Sequence, residues 1–543
     1  MVDEVGTAAP RAGRREWIGL AVIALPCLLY SMDLTVLFLA VPQLSEDLDP
    51  SSAELLWISD IYGFLLAGLL ITMGTLGDRV GRRRLLLIGA AAFGAASVLA
   101  AFSTSAEMLI AARAILGIAA ATLAPSTLSL IRNMFHDDRQ RTVAIAVWVT
   151  SFSAGAAIGP LAGGLLLERF WWGSVFLLAV PVMALLLLLG PRLLPEYRDP
   201  GAGRLDLVSA AMSLLAVLGV VYGVKRIAED GSAGVASIVS IAAGLAVGAL
   251  FLARQRRLED PLLDLRLFRA PAFSAALGVN SAALFVVFGS EFFIAQYLQL
   301  VLGYSPLEAG LWTLPSAFGF IAGSLLSPAL VRRVAPRVAV AGAAGLAVAG
   351  LALMTRVDGE SGLAAVVAGS VLLALGASPA VTLGTDLVVG AAPPERAGVA
   401  SGLSETGAEL GGALGIAVLG SIGAAVYRGR MEDAAAPGVD PGAAEAARDT
   451  LGGAVGAAAD LPARLLDAAA DAFAAGFQAA AIAGAALMAA VAVLAAFLLR
   501  AGTETSDDRQ EDPCSETRVP SPASPCPTPM RPGTSTEGSS GSR

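Results

Sequence analysis

The chain has 543 residues, 56% hydrophobic and only 15% charged, with a mean hydropathy of +0.72 and a formal net charge of −9. A soluble domain carries roughly 25% charged residues, so this composition excludes a soluble enzyme or nucleic-acid-binding protein and points to a membrane protein. The three cysteines, Cys27, Cys514 and Cys526, are too few and too scattered for a disulfide framework.

Residues 1–16 form an N-terminal arm with Arg11, Arg14 and Arg15 and no cleavable signal pattern. The apolar run behind it is too long for a signal peptide and reads as an uncleaved anchor. A helix needs about 20 apolar residues to cross a bilayer, and fourteen such runs follow one another. Six lie at 17–39, 54–76, 83–102, 107–131, 141–167 and 171–191, two at 205–224 and 234–253, and six at 272–302, 306–331, 338–355, 362–391, 398–427 and 472–500. The ~10-residue alternating segments of a transmembrane β-barrel are absent.

The expected fold is an all-α polytopic membrane protein, with two six-helix bundles at 17–191 and 272–500 and a linker, 192–271, that inserts two central helices. The basic loops "GDRVGRRR" and "VRRVAPR" occupy corresponding places in the two halves, as in transporters built from parallel repeats.

Lys and Arg gather in the N-terminal arm and the even-numbered short connections. The short odd-numbered connections hold only Arg169, Lys225, Arg226 and Arg356. The basic side is therefore expected to be cytoplasmic, and an even number of spans puts both termini there. Segment 428–471, long enough to escape that rule, is expected outside as a small Ala-rich helical hairpin or flap. Residues 501–543, rich in Pro, Ser and Thr, are expected to be a disordered cytoplasmic tail.

A charge inside hydrocarbon is costly and usually faces a cavity on a transport path. Six such residues stand out: Asp33, Asp60, Arg113, Glu291, Glu405 and Glu409. Asp33, Asp60 and Arg113 each lie six residues from the outer end of a span, or ~9 Å deep at 1.5 Å per residue. If their helices adjoin, they share one layer, either as a proton-exchanging site or as a static ion pair. Glu405 and Glu409 are four apart on one helix face, where two like charges favour sharing a proton or a cation. Glu409, nearer the membrane centre, is expected to be the costlier loss. Glu291 is flanked by Phe288, Phe292, Phe293 and Tyr297, and such rings serve equally as packing or as faces for a lipophilic cation. Trp57, Tyr62 and Tyr30 are further stacking surfaces. Asp386 is expected near the inner mouth.

Three motifs carry a family resemblance. The loop "GTLGDRVGRRR" holds Gly74, Gly77, Asp78, Arg79, Gly81 and Arg82; its glycines suit close helix approach and a tight turn, and Asp78 is the only acid among arginines. It resembles the signature loop of the major facilitator superfamily. In span 5, "SAGAAIGPLAGG" spaces Gly155, Gly159 and Gly163 four apart, with Pro160 and Gly164, and looks like the antiporter signature of drug exporters in that superfamily. "SMDLTVLFLAVPQL" in span 1, with Asp33, and "RAILGIAAATLAP" in span 4, with Arg113, are similar to further signatures of its fourteen-span drug:proton antiporter branch, although Phe38 and Leu116 replace residues common there.

The resemblance implies a major facilitator fold, a latch role for Asp78 and Arg82, and proton-coupled export of lipophilic, cationic drugs or antibiotics across a bacterial cytoplasmic membrane. A nutrient symporter and a non-transporting sensor are the alternatives. The sequence holds no nucleotide loop, metal cluster or nucleophile triad, so the expectation is a monomeric transporter that needs no cofactor and is driven by the proton gradient. Its expected partners are the lipid bilayer, protons and small-molecule substrates, with no nucleic acid.

Overall fold

The computed structural model describes residues 11–50, 52–198, 206–230, 234–258, 261–358, 362–393, 397–432 and 439–498. The expected tail, 501–543, and most of the arm lie outside them. The described chain contains fourteen helices long and apolar enough to cross a membrane.

The first six spans are α1 (Arg14–Leu48), α2 (Ser52–Val80), α3 (Arg82–Ala101), α4 (Ala106–Met134), α5 (Asp138–Leu167) and a broken sixth, α6 (Ser174–Leu177) with α7 (Ala179–Leu193). The inserted pair is α8 (Leu207–Asp230) and α9 (Val235–Gln255). The last six are α10 (Pro271–Gln296), continued by a π turn to Val301, then α11 (Pro306–Leu330), α12 (Pro336–Met354), α13 (Leu363–Ala391), α14 (Ala397–Glu432) and α17 (Ala463–Leu498). Between α14 and α17 lie two short helices, α15 (Pro441–Asp449) and α16 (Leu451–Gly456).

Local chemistry sets several boundaries. The Ser105 and Asp137 side chains accept the backbone N–H of Met108 and Gln140 and so start α4 and α5. Ser305 and Glu308 form a reciprocal capping box on α11. At the break between α2 and α3, Gly81 has φ +116°, a conformation that L side chains rarely adopt. The Glu196 carboxylate also fills the space where its Cβ would stand.

Helices overrun the apolar spans because their hydrogen bonding continues past the hydrocarbon: α1 extends to Leu48, α14 to Glu432, and α17 begins at Ala463. That shortens the expected 428–471 hairpin to the small helices α15 and α16. The Tyr427 hydroxyl of α14 donates to the Ala447 carbonyl of α15 at 2.6 Å and pins them down.

The two halves pack in the same pattern. In the first, α1 lies on α5 and α7, while α4 lies on α2 and α3, and α3 on α7. In the second, α10 lies on α14 and α17, while α13 lies on α11 and α12, and α12 on α17. Matching the spans in order makes these the same five contacts. The contacts between halves match as well: α2 meets α14 and α5 meets α11, each pair exchanging the second helix of one half with the fifth of the other. The inserted helices pack on each other, and α8 also lies on both α2 and α14, one from each half.

Candidate transport site

Arg113 is 1% exposed and belongs to α4. Its guanidinium forms an ion pair with Asp33 of α1 at 2.5 Å. Its Nε donates to the Ile58 carbonyl of α2 at 3.1 Å, and its plane lies over the Tyr62 ring, 4.6 Å from the centroid. The charge is thus held by three helices at once. α4 approaches α2 closely here because Gly117 abuts the Tyr62 backbone. Asp33 and Arg113 do share a layer. The Asp60 side chain lies outside the described residues.

One turn below Asp33 on α1, Tyr30 donates its hydroxyl to Glu409 Oε1 of α14 at 2.5 Å. This bond joins the two halves across the middle of the molecule. Glu405, one turn away on the same face of α14, makes no hydrogen bond or ion pair among the described residues; its charged neighbour is Glu409. Beside Glu405 on α1 lies Cys27, whose Sγ meets Thr127 Oγ1 at 3.6 Å, and Trp148 of α5 donates to that same Thr127 oxygen at 3.0 Å. The preceding residue, Ser404, accepts from Asn280 of α10 at 3.2 Å.

Aromatic rings line the approach to these acids. Trp148 and Phe152 are 4.7 Å apart, Phe152 and Tyr30 5.4 Å, and Tyr30 and Tyr62 6.4 Å. The chain of rings runs from the Glu405 side of the site to the Arg113–Asp33 pair. Rings beside carboxylates offer a flat cation both a π face and a counter-charge.

Glu291 stands apart from this group. The nearby Ser316 hydroxyl of α11 donates to the Thr313 carbonyl of its own helix at 2.8 Å. Phe293 stacks on Phe477 of α17 with centroids 5.5 Å apart, and Tyr297 also contacts Phe477. Those two rings therefore pack between helices instead of facing a cation at Glu291. Trp57 is 47% exposed, and His136 is exposed on a loop.

The arginine-rich loop is a latch between halves. Asp78 Oδ1 accepts Arg82 Nε at 2.8 Å and the Gly398 N–H at 3.1 Å, and Oδ2 accepts the Val399 N–H at 3.2 Å. Gly398 and Val399 open α14, so the carboxylate caps the N-terminus of a helix from the other half, where backbone donors and the helix dipole favour an anion. Gly74 and Gly398 meet backbone to backbone at the same crossing, leaving no room for a Cβ on either. Arg82 is fully buried, with Tyr197 5.0 Å below its guanidinium. Gly77 makes ordinary contacts with Leu85 and Ser126, and Arg79 is half-buried.

A second latch was not foreseen as a pair. Asp386 of α13 accepts Arg141 Nε at 2.7 Å and the Thr142 hydroxyl at 2.6 Å, both from the start of α5. Ser129 to Ser401, Arg132 to the Gly390 carbonyl and Ser324 to the Ala146 carbonyl add further bonds between halves. The latches and the Arg132 bond gather at the face that carries the arginine-rich loops, which is the closed face in this conformation.

In α5, Gly155 sits against the Leu28 backbone of α1, so the two helices cross without a side chain between them. Gly159 and Gly163 are buried, while Gly164 has open space where a Cβ would stand. The Pro160 side chain lies outside the described residues.

Two bundles of matching connectivity, latched at one face and burying acids and Arg113 within their spans, have the architecture of a secondary transporter. The pattern of the Major Facilitator Superfamily matches residues 23–416, and the chain belongs to that superfamily: it is a transporter, not an enzyme. It is 46% identical over 444 residues to the multidrug efflux pump LfrA of Mycolicibacterium smegmatis, covering 82% of this chain and 87% of that one. It is 38% identical over 415 residues to the methyl viologen resistance protein SmvA of Salmonella typhimurium, covering 75% and 82%. Among solved structures, a human organic anion transporter superposes with a TM-score of 0.59 at 19% identity over 89% of this chain and 99% of that one, a likeness of fold.

Proposed function

We propose that this protein exports lipophilic, cationic drugs or antibiotics across a bacterial cytoplasmic membrane in exchange for protons, with both termini in the cytoplasm and a single chain as the working unit. The observation that carries this reading is the mid-membrane site itself, with Glu405 and Glu409 of one half facing a chain of aromatic rings from the other. Carboxylates in a partly dry site hold either a proton or a cation, and competition between the two couples their opposite movements. The multidrug efflux named for one relative accords with such cargo.

The driving force is the proton gradient alone, with no cofactor. The halves would rock about the site, the Asp78 and Asp386 latches opening as the opposite face closes. Asp33 with Arg113, and Asp60 on the neighbouring helix, would serve the proton limb. Glu291 would meet substrate along the path. The Gly155, Gly159 and Gly163 stripe, with Pro160 and Gly164, would set how α5 moves on α1.

The test uses everted membrane vesicles holding an acid-inside gradient. Adding an ethidium-like monocation should release protons from the lumen and load the dye into it. Proton movement in the opposite sense would mean symport, and dye loading without a gradient would remove proton coupling.

A further inference from the structure

The two acids of α14 are not equivalent: Glu409 holds a tyrosine hydroxyl from the other half. Tyr30 is 7% exposed, with its ring wedged between Phe152 and Tyr62. That packing aims its O–H at Glu409 Oε1 across the boundary between halves. Glu405, one turn away, receives no hydrogen bond or ion pair among the described residues although the thiol of Cys27 lies close by. A carboxylate already holding a donor gains less from a second charge, because part of its own charge is already stabilised. A carboxylate without one has no such stabilisation.

We propose that Tyr30 is a positioning residue that reserves Glu409 and leaves Glu405 as the carboxylate a substrate cation meets, so that the site selects compact planar monocations over dications. This rests on the export reading above. It reverses the ranking expected from depth alone, in which Glu409 matters most. It also gives the Tyr30 bond a place in the cycle: a cation at Glu405 draws on the charge of Glu409, loosens the bond between halves and so helps the latched face to open.

Ethidium and propidium make a matched pair of probes, sharing one planar ring system, with a second quaternary charge on propidium. Their equilibrium binding would be measured by fluorescence on the purified full-length chain in nanodiscs, for wild type, Tyr30→Phe, Glu405→Gln, Glu409→Gln and the double variant Tyr30→Phe/Glu409→Gln. Tyr30→Phe keeps the ring and removes only the hydroxyl. It should improve propidium binding relative to ethidium by about tenfold, the scale of one hydrogen bond to a charged group exchanged for an ion contact. The gain should vanish in the double variant. Glu405→Gln should weaken ethidium about tenfold, and more than Glu409→Gln does.

An unchanged propidium-to-ethidium ratio in Tyr30→Phe overturns the proposal, as does an equal loss for both dyes, which would make the hydroxyl merely structural. A gain that survives in the double variant overturns it too. If wild type bound neither dye, the export reading itself would fall; binding with an unmoved ratio would defeat only the role given to Tyr30.

Discussion

Replacing Asp78 by Asn tests the latch with the smallest change of shape. The wild-type carboxylate accepts four bonds: Nε and Nη2 of Arg82 at 2.8 and 2.7 Å, and the N–H groups of Gly398 and Val399 at 3.1 and 3.2 Å. An amide keeps one acceptor oxygen and turns a donor toward the remaining donors. It also leaves the Arg82 guanidinium, with 0% side-chain exposure, beside a neutral group. Removing one partner of a buried ion pair costs ~3–5 kcal/mol. That cost falls on the closed face only, because opening lets water reach Arg82. At ~3 kcal/mol the ratio of closed to open forms drops by about a hundredfold. Spin labels at Val80 and Ala391, both exposed at the latched face, in a chain whose Cys514 and Cys526 are Ser, read the distance between halves. The Asp78→Asn variant should shift that distribution to longer distances and slow efflux at matched expression. An unchanged distribution with normal efflux would refute the idea that these four bonds hold the face shut.

Asp386→Asn loosens the second latch, which loses charge-assisted bonds from Arg141 and Thr142; the same label pair should lengthen, but less than for Asp78→Asn, since Arg141 also pairs with Asp138 at 2.8 Å. Asp33→Asn leaves Arg113 buried with, among the described residues, only the Ile58 carbonyl and the Tyr62 ring; proton-driven efflux should disappear while the protein stays in the membrane, and normal efflux from a well-expressed variant would remove Asp33 from the proton limb. Gly155→Leu forces a side chain into the Leu28 backbone; overpacking of ~1–3 kcal/mol should lower the melting temperature and slow exchange more than it weakens dye binding, and an unaltered exchange rate would mean that close approach of α1 and α5 is dispensable.

What the sequence disclosed, and what it hid, follows from the range of each signal. Spans are local runs, so apolar length alone located all fourteen helices. Depth along a helix is local too, and that arithmetic placed Asp33 and Arg113 in one layer. Partners are not local. Arg141 is one arginine among several at a basic helix start, and nothing in its neighbourhood points to Asp386, 245 residues away. Tyr30 reads as an ordinary aromatic residue; its hydroxyl gains meaning only when α1 meets α14. Asn280 was open to detection, because an amide within an apolar span demands a partner, and it has one in Ser404. Nearness in sequence to Glu291 left Phe293 and Tyr297 equally open as packing or as cation faces; successive helix positions face different ways, and α17 takes those rings.

The two halves share one contact pattern, yet the latches that close them are not copies of each other. The first half carries its acid on α2 and caps the start of α14. The corresponding loop after α11, "VRRVAPR", has no acid to cap the start of α5. Asp386 fills that gap from α13, binding Arg141 and Thr142 at the beginning of α5. Each half thus anchors the start of its partner's fifth helix, once through backbone N–H groups and once through side chains. The fifth helices also pack closely against the first helix of their own half, α5 on α1 and α14 on α10. Tyr30 and Glu409 sit on α1 and α14, so a charge arriving at mid-membrane acts on the same helix whose start Asp78 holds. On the export reading proposed above, occupancy of the site and closure of the face would be linked through one helix, α14, with no need for a longer chain of intermediaries.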